Sequence, residues 1–422
     1  MKPLLYAAQL VGLAPYAYVR REQTGEESLD ISRRCNVKKT IWGLLLLVVQ
    51  FTAILCRLAE NITNPKRNLM DLVNDMLQVP SYSTISIGAL IFALTVNRKK
   101  MLEFINILSL VDRFLLDDNS AYKKQNITLL TAVTCSTITS IITLLLDVFY
   151  YNIYNMLSII TIYLPYYIWG INEIQFMNVV ETLRVRLATL NRQVPLIFVQ
   201  ENHSEGVPGN STKRLGRYVT TRVSRSCIRA ELLRNYVRDE LTVGPAQTCS
   251  QKSKVTCGML KLSEMYDHMY EMCRLINSMY GYMTLQESTA YIVCITEDGY
   301  YLLTFLIALY KKDKLPIDPG GCLALIIWNI WHFSRLFAIC LACQRVSNEV
   351  RRILDQIETL KLQPNLSAAV SDQLTLFSKQ IKQCKIEFSA CGFFDINLSH
   401  FFAVVLTTTT YITMIIFLDG QH

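Results

Sequence analysis

The chain has 422 residues, of which 51% are hydrophobic and only 18% charged, and its mean hydropathy is +0.25. Soluble globular proteins carry about 25% charged residues, so this composition excludes a disordered chain, a collagen-like fibre and an ordinary cytosolic enzyme. The net charge of +8, from 42 basic and 34 acidic residues, sits almost entirely between apolar blocks. That is the pattern of loops beside anionic lipid, and no nucleic acid partner is expected.

In chain order, residues 1–39 form a cytoplasmic N-terminal segment. Its apolar stretch from Leu4 to Val19 is interrupted by Pro15 and followed by Arg20 and Arg21. With no small-residue cleavage site, it reads as an interfacial helix and not as a signal peptide. Crossing about 30 Å of hydrocarbon takes roughly 20 helical residues. Seven segments qualify: Thr40 to Leu58, Asp75 to Val96, Leu129 to Asp147, Met156 to Asn178, Met283 to Leu309, Gly321 to Cys343 and Ser399 to Leu418. The expectation is an all-α polytopic membrane protein with spans 1–4 in 40–178, spans 5 and 6 in 283–343, and span 7 in 399–418.

Orientation follows from Lys and Arg. With the N-terminus inside, the inner segments other than the long central loop carry 20 of them and the outer side six. The count favours a cytoplasmic N-terminus and an extracellular C-terminus.

The inner segments carry apolar residues at strict 3,4 spacing: Met101, Phe104, Leu108, Val111, Leu115, then Phe176, Val180, Leu183, Leu187, Leu190, then Leu262, Met265, Met269, Met272, Ile276. The spacing recurs in Val346, Val350, Ile353, Ile357, Leu360 and, after Pro364, in Val370, Leu374, Phe377, Ile381, Cys384, Phe388. Such stripes predict amphipathic helices that prolong the spans into the cytoplasm, over 179–282 and as a hairpin over 344–398, and pack on each other. The stripes that follow the fourth, fifth and sixth spans, with the one leading into the seventh, are expected to provide the main assembly contact. Between them, 201–254 is rich in Ser, Thr and basic residues and reads as a mobile loop with one short helix from Ser226 to Arg238.

Six N-x-S/T sequons occur, at Asn61, Asn126, Asn202, Asn210, Asn365 and Asn397, and only Asn61 falls on the outer side. Asn61 is the expected glycosylation site. The 13 cysteines lack the spacing of a disulfide scaffold and read as reduced. Cys340 and Cys343 form a lone C-x-x-C, so no metal is expected.

No G-x-S-x-G, Walker loop or H-E-x-x-H occurs, and an enzyme with a cofactor is not expected. What is left is polar groups inside spans, which are costly in lipid and by default functional or paired. Trp328, Trp331, His332 and Arg335 fall on one helical face of the sixth span. The fifth adds Gln286, Glu287, Glu297 and Asp298, the fourth Tyr163, Tyr166, Tyr167, Trp169 and Glu173, and the third ends at Asp147. Aromatic faces beside carboxylates suit a small polyhydroxylated ligand. Candidate ligand residues are Trp328, Trp331, His332, Asp298, Trp169, Tyr166 and Asp147. The competing reading is an aromatic interfacial belt with Arg335 in a structural pair.

The stretch Glu387, Phe388, Ser389, Ala390, Cys391, Gly392, Phe393, Phe394, followed by a last span containing Thr410 and Tyr411, resembles the signature region of insect gustatory receptors. The likeness extends to Leu13, Ala14, Pro15, Tyr16, to Leu190, Asn191, Arg192, and to Trp328, His332, Phe333, Arg335, Leu336, details most similar to the fructose-sensing branch. The resemblance implies a ligand-gated, nonselective cation channel in the plasma membrane of chemosensory neurons. It further implies a tetramer, homomeric or built with related receptors, in which the last span lines the pore and cytoplasmic helices hold the subunits together. It makes Thr410, Tyr411, Thr413, Phe417 and Leu418 the pore and gate residues. The family pattern ends in Gln-Phe, where this chain has Phe417 and Leu418, so the polar gate residue is missing. A sugar or polyol is the expected ligand class, with a bitter compound as the alternative. A G-protein-coupled receptor would need the opposite orientation, and a transporter would need repeats that the sequence lacks.

Overall fold

The computed structural model describes residues 2–14, 17–20, 27–30, 33–63, 69–115, 120–151, 157, 159–203, 249–311, 319–363, 366 and 368–419. Helix α1 (Lys2–Leu10) stops where Gly12 adopts a φ of +79°, a conformation open to glycine at no steric cost. Trp42 Nε1 donates to the Leu10 carbonyl at 2.7 Å and caps α1 from the following helix. The expected interfacial helix from Leu4 to Val19 is therefore shorter. Beyond Leu10 the chain turns, and β1 (Ala17–Arg20) pairs antiparallel with β2 (Glu27–Asp30).

The other main elements among the described residues are helices: α2 (Arg33–Thr63), α3 (Leu69–Leu94), α4 (Asn97–Leu115), α5 (Ser120–Tyr151), α6 (Leu164–His203), α7 (Cys249–Lys311), α8 (Pro319–Lys361), α9 (Ala368–Gln383) and α10 (Leu398–Asp419). Among the described residues, Val37–Ala59, Ile127–Leu146, Thr256–Lys311, Gly320–Lys361 and Leu398–Leu418 are long and apolar enough to cross a membrane. Val79–Leu94 joins them as a pair with Asn97–Leu115, from which it is bent by 64°. The exposed faces of α2 and α5 are rows of apolar side chains, such as Ile41, Leu44, Val48 and Leu55 on α2 and Ile138, Ile141 and Leu145 on α5. Such faces suit lipid. The remaining expected span lies within α6, and there Asn172, Glu173 and Asn178 are buried against neighbouring helices. The α-helical part of that span begins at Leu164, after a π-helical turn over Ile159–Tyr163, and not at Met156.

Helices α7 and α8, of 63 and 43 residues, are about 95 and 65 Å long at 1.5 Å per residue, two to three times the hydrocarbon thickness. Their surplus length carries the amphipathic stripes. Phe104, Leu108, Val111 and Leu115 on α4, Val180, Leu183, Leu187 and Leu190 on α6, and Met265, Met269, Met272 and Ile276 on α7 are all buried. So are Ile353 and Ile357 on α8 and Leu374, Phe377 and Ile381 on α9. The stripes cover one another within a single chain, so they are not free to be the main contact between subunits, as the sequence had suggested. The physical reason is that five stripes brought together by adjacent helices satisfy each other's apolar faces without a partner. At the α8–α9 corner, Ser378 Oγ donates to Glu358 Oε1 at 2.7 Å, with Lys361 and Lys382 each 3.2 Å from the same carboxylate. Hydrogen bonds from Ser378, then Lys361 and Lys382, hold the Glu358 carboxyl down from 4.5 to about 2.

The expected helix over Ser226 to Arg238 lies outside the described residues, as do the side chains of Asn61 and Asp147. Asn397, another sequon, instead caps a helix: its Oδ1 accepts from the His400 backbone N–H at 3.1 Å at the start of α10.

Because Ile357 is fully buried inside one chain, Ile357→Ala should cost about 2–5 kcal/mol and Ile357→Val about 0.5–1.5 kcal/mol. Thermal unfolding of detergent-purified protein, followed by size-exclusion fluorescence, checks this. If Ile357→Ala separates subunits without lowering the unfolding temperature, the intrachain packing is not what the residue supplies.

Candidate functional site

Helix α6 starts Leu164-Pro165, a first-turn position where proline's missing N–H costs nothing. From there Tyr166, Trp169 and Glu173 fall at i, i+3 and i+7 and share one face. On α8, Trp328, His332 and Arg335 share a face at i, i+4 and i+7, and α7 presents Glu287, Tyr291 and Asp298. Tyr82 of α3 completes the cluster. These side chains meet in the middle of the bundle, and Tyr82, Tyr166, Trp169, Glu173, Tyr291 and His332 are each at most 3% exposed.

A charge pair lies at its base. Arg335 Nε donates to Glu173 Oε2 at 2.7 Å, the Tyr291 hydroxyl donates to Glu173 Oε1, and Asn172 Nδ2 donates to Glu287 Oε1 at 3.2 Å. The Arg335 guanidinium carbon sits 4.4 Å from the Trp169 ring centroid and 4.9 Å from that of Tyr166. The cation is thus met by one carboxylate and two aromatic faces, the arrangement that makes a buried charge tolerable.

Above the pair is a nest of rings. His332 stacks on Trp328 with centroids 5.7 Å apart and 23° between planes. It is met nearly edge-on by Tyr166 and Tyr291, at 5.9 and 6.0 Å. Its Nε2 lies 4.0 Å from Asp298 Oδ2, too far for a hydrogen bond. Both His332 nitrogens are buried without a hydrogen-bond partner, and Trp169 Nε1, the Tyr166 hydroxyl and Arg335 Nη2 are buried with only poorly aligned partners among Glu173, Glu287 and one another. Buried polar groups are ordinarily satisfied, at about 1–3 kcal/mol for each left bare. Their concentration at one place is the chemical signature of this cluster.

Of the sequence-derived ligand residues, the structure brings Trp169, Tyr166, Trp328, His332 and Asp298 together. Trp331 packs half-buried against the apolar core, one step around α8. Asp147 lies in α5, and nothing of its side chain is described. Both readings of Arg335 are met in part: it forms a buried pair, with Glu173, and that pair borders the aromatic cluster. Tyr82, Tyr291 and Asn172 were not singled out from sequence. A tyrosine flanked by serines inside an apolar span was the available signal for Tyr82.

Helix α10 lies on α7 with Val404 and Thr408 buried and Ile412 half-buried along its inner face. Leu406, Thr410, Thr413 and Phe417 follow at 4,3,4 spacing on the opposite, exposed face, and Tyr411, Met414 and Leu418 form a second exposed stripe beside it. The predicted pore residues therefore divide between two stripes. The hydroxyls of Thr407, Thr409, Thr410 and Thr413 each donate to a carbonyl one turn back, at 2.8 Å.

A profile of the 7tm chemosensory receptor family matches residues 1–416, nearly the whole of this multi-helix membrane bundle, and the chain belongs to that family. The curated relatives it matches are insect gustatory receptors, and each match spans less than two thirds of the relative's length. It is 23% identical over 265 residues to the Drosophila melanogaster gustatory receptor for sugar taste 43a, a match covering 60% of this chain and 58% of that protein. A match at 23% identity to gustatory receptor 2a of the same fly covers 36% of this chain and 39% of that one. The fold is similar to that of the insect olfactory receptor OR5 from Machilis hrabei, with a TM-score of 0.65 at 12% identity over 98% of this chain and 96% of that one. The structure of OR5 in complex with eugenol gives a TM-score of 0.61 at 10% identity, covering 99% and 97%.

Removing one partner of a buried pair leaves the other charge uncompensated, at about 3–5 kcal/mol. Arg335→Gln alone should therefore abolish most surface display, measured by biotinylation of intact cells. Arg335→Gln combined with Glu173→Gln, which removes both charges, should recover most of it. Full display of the single variant would show that the pair is not under this constraint.

Proposed function

We propose that this chain is a gustatory chemoreceptor acting as a ligand-gated, nonselective cation channel for a small polyhydroxylated tastant, a sugar or polyol. The observation that carries this reading is the pair of unpartnered, buried His332 nitrogens beside the poorly satisfied polar atoms of Tyr166, Trp169 and Arg335, inside a nest of aromatic rings. A hydroxylated ligand would satisfy those atoms while its C–H faces pack on Trp328 and Trp169. The likeness to a fly receptor named for sugar taste supports the same ligand class. The chain is read with its N-terminus in the cytoplasm and its C-terminus outside, as a homotetramer or an assembly with related receptors, in the plasma membrane of chemosensory neurons. Helix α10 lines the pore, and its exposed stripes, unlike the cytoplasmic ones, have no intrachain cover.

The test is to record currents from cells expressing the chain alone, with a tag after His422 detected on unpermeabilised cells, during application of sugars, polyols and bitter compounds. A sugar or polyol should evoke current, and alanine at Trp328, His332 or Asp298 should raise the half-maximal concentration about threefold to thirtyfold at unchanged surface density. Responses to bitter compounds alone would replace the ligand class, and identical dose responses in all three variants would move the pocket elsewhere.

The gate follows from the outer end of α10. Phe417 is 66% exposed on the face shared with Thr410 and Thr413. If that face closes the pore, an apolar ring at Phe417 shuts it by excluding water. Phe417→Gln, which introduces the amide that the family pattern carries there, lowers the cost of wetting the constriction. Larger evoked currents or a standing leak per surface channel are expected. Unchanged currents per surface channel would remove this end of α10 from the gate.

A further inference from the structure

One face of α7 carries the whole path from the cytoplasmic hairpin to α10. Tyr266 donates to the Cys384 carbonyl at 2.8 Å, and Asn277 Nδ2 donates to the Glu387 carbonyl at 2.8 Å while its Oδ1 accepts from the Ser389 N–H at 3.3 Å. A turn higher, a Cβ on Gly281 would lie 3.2 Å from the Cys391 backbone nitrogen, so the signature turn rests directly on the α7 backbone. Then Ser288 Oγ and His400 Nε2 share a 3.1 Å hydrogen bond. The lower part of the path is thus fixed by polar bonds and by close backbone contact.

Its upper end is different. A Cβ on Gly299 would lie 2.6 Å from Ile412 Cδ1, closer than real Cβ contacts come. Glycine at 299 is a socket, and Ile412 is seated in it. The residue before the socket is Asp298, whose carboxylate faces His332 at 4.0 Å in the aromatic nest. One residue step on α7 therefore separates the candidate ligand cluster from the contact that seats α10. We propose that the Gly299–Ile412 contact is the positioning point through which the ligand cluster sets the placement of α10, with Gly299 the residue that fixes how closely α10 approaches α7. The inference rests on the channel reading above.

The direction of the effect follows from the helix faces. Ile412 lies on the inner face of α10, and Leu406, Thr410, Thr413 and Phe417 lie on the opposite one. Where Ile412 keeps its rotamer, a methyl at 299 pushes α10 away from α7 and toward the face read as the pore, narrowing it. The obstructing atom is the far end of a flexible side chain, so Gly299→Ala can be accommodated without unfolding the bundle. Removing Cδ1 with Ile412→Val makes room for that methyl.

The experiment uses the full chain with Phe417→Cys as a reporter, modified by a membrane-impermeant charged thiol reagent from outside, while current evoked by D-fructose is recorded from the same variants with Phe417 intact. The chain without the reporter cysteine gives the background. Gly299→Ala should slow reporter modification and reduce evoked current per surface channel at least about fivefold, the lower range for coupled sites. Adding Ile412→Val should restore both. Ile412→Ala with Gly299 intact, which empties the socket from the other side, should speed modification, and it reads the contact even if Gly299→Ala does not reach the surface. Modification rates that are the same in every variant overturn the proposal. If no variant carries current but the rates still separate and are rescued by Ile412→Val, the channel reading fails and the positioning contact stands.

Discussion

Everything at the centre of this bundle depends on the pairing of Arg335 with Glu173. A guanidinium inside a membrane bundle has few stable settings: a carboxylate, aromatic faces, or water. Here the first two are supplied by α6, which brings Glu173, Trp169 and Tyr166 within about two turns. The tyrosine of α7 that donates to the same carboxylate draws in the third helix. Because three helices share one ion pair, their relative rotation is constrained, and the ring stack on His332 inherits that constraint. The poorly satisfied polar atoms beside the pair are held in place by it.

The second organising element is the length of α7. A helix two or three times longer than the membrane is thick carries both the aromatic cluster and the rest for the segment leading into α10. Different faces serve the two tasks: Glu287 and Tyr291 turn toward α6, whereas Asn277, Gly281 and Ser288 turn toward the C-terminal segment. On the proposed reading, a ligand at one face and a channel wall at the other would be joined by a single unbroken helix, with no loop between them to absorb a displacement.

The spans were legible because apolar blocks of about 20 residues have one principal use in a chain this hydrophobic. The stripes were legible as well, since 3,4 spacing demands cover on one side. What the spacing could not say is who provides the cover. Ile353 and Ile381 read equally well as intersubunit or intrachain residues, and only the meeting of α8 and α9 with α7 decides it. In the same way Trp328, His332 and Arg335 could be placed on one face from periodicity alone. The choice of Glu173 among Glu173, Glu287, Glu297 and Asp298 as the partner of Arg335 depends on how helices far apart in sequence rotate against each other. The seat of Ile412 on Gly299 left no trace at all, because a glycine inside a span carries no pattern until its neighbour is known.

The threonines of α10 have a consequence of their own. Each of Thr407, Thr409, Thr410 and Thr413 spends its single proton on a carbonyl of its own helix. The hydroxyl oxygens keep their lone pairs and offer no hydrogen outward. Were several copies of this helix to wall a water-filled passage, its threonines would present electron-rich oxygen and no donor, so at that level a partly dehydrated alkali ion would find substitutes for its lost water whereas chloride would find none. Charge discrimination would then need no acidic side chain in the wall. It would be set by the direction in which a hydroxyl hydrogen points.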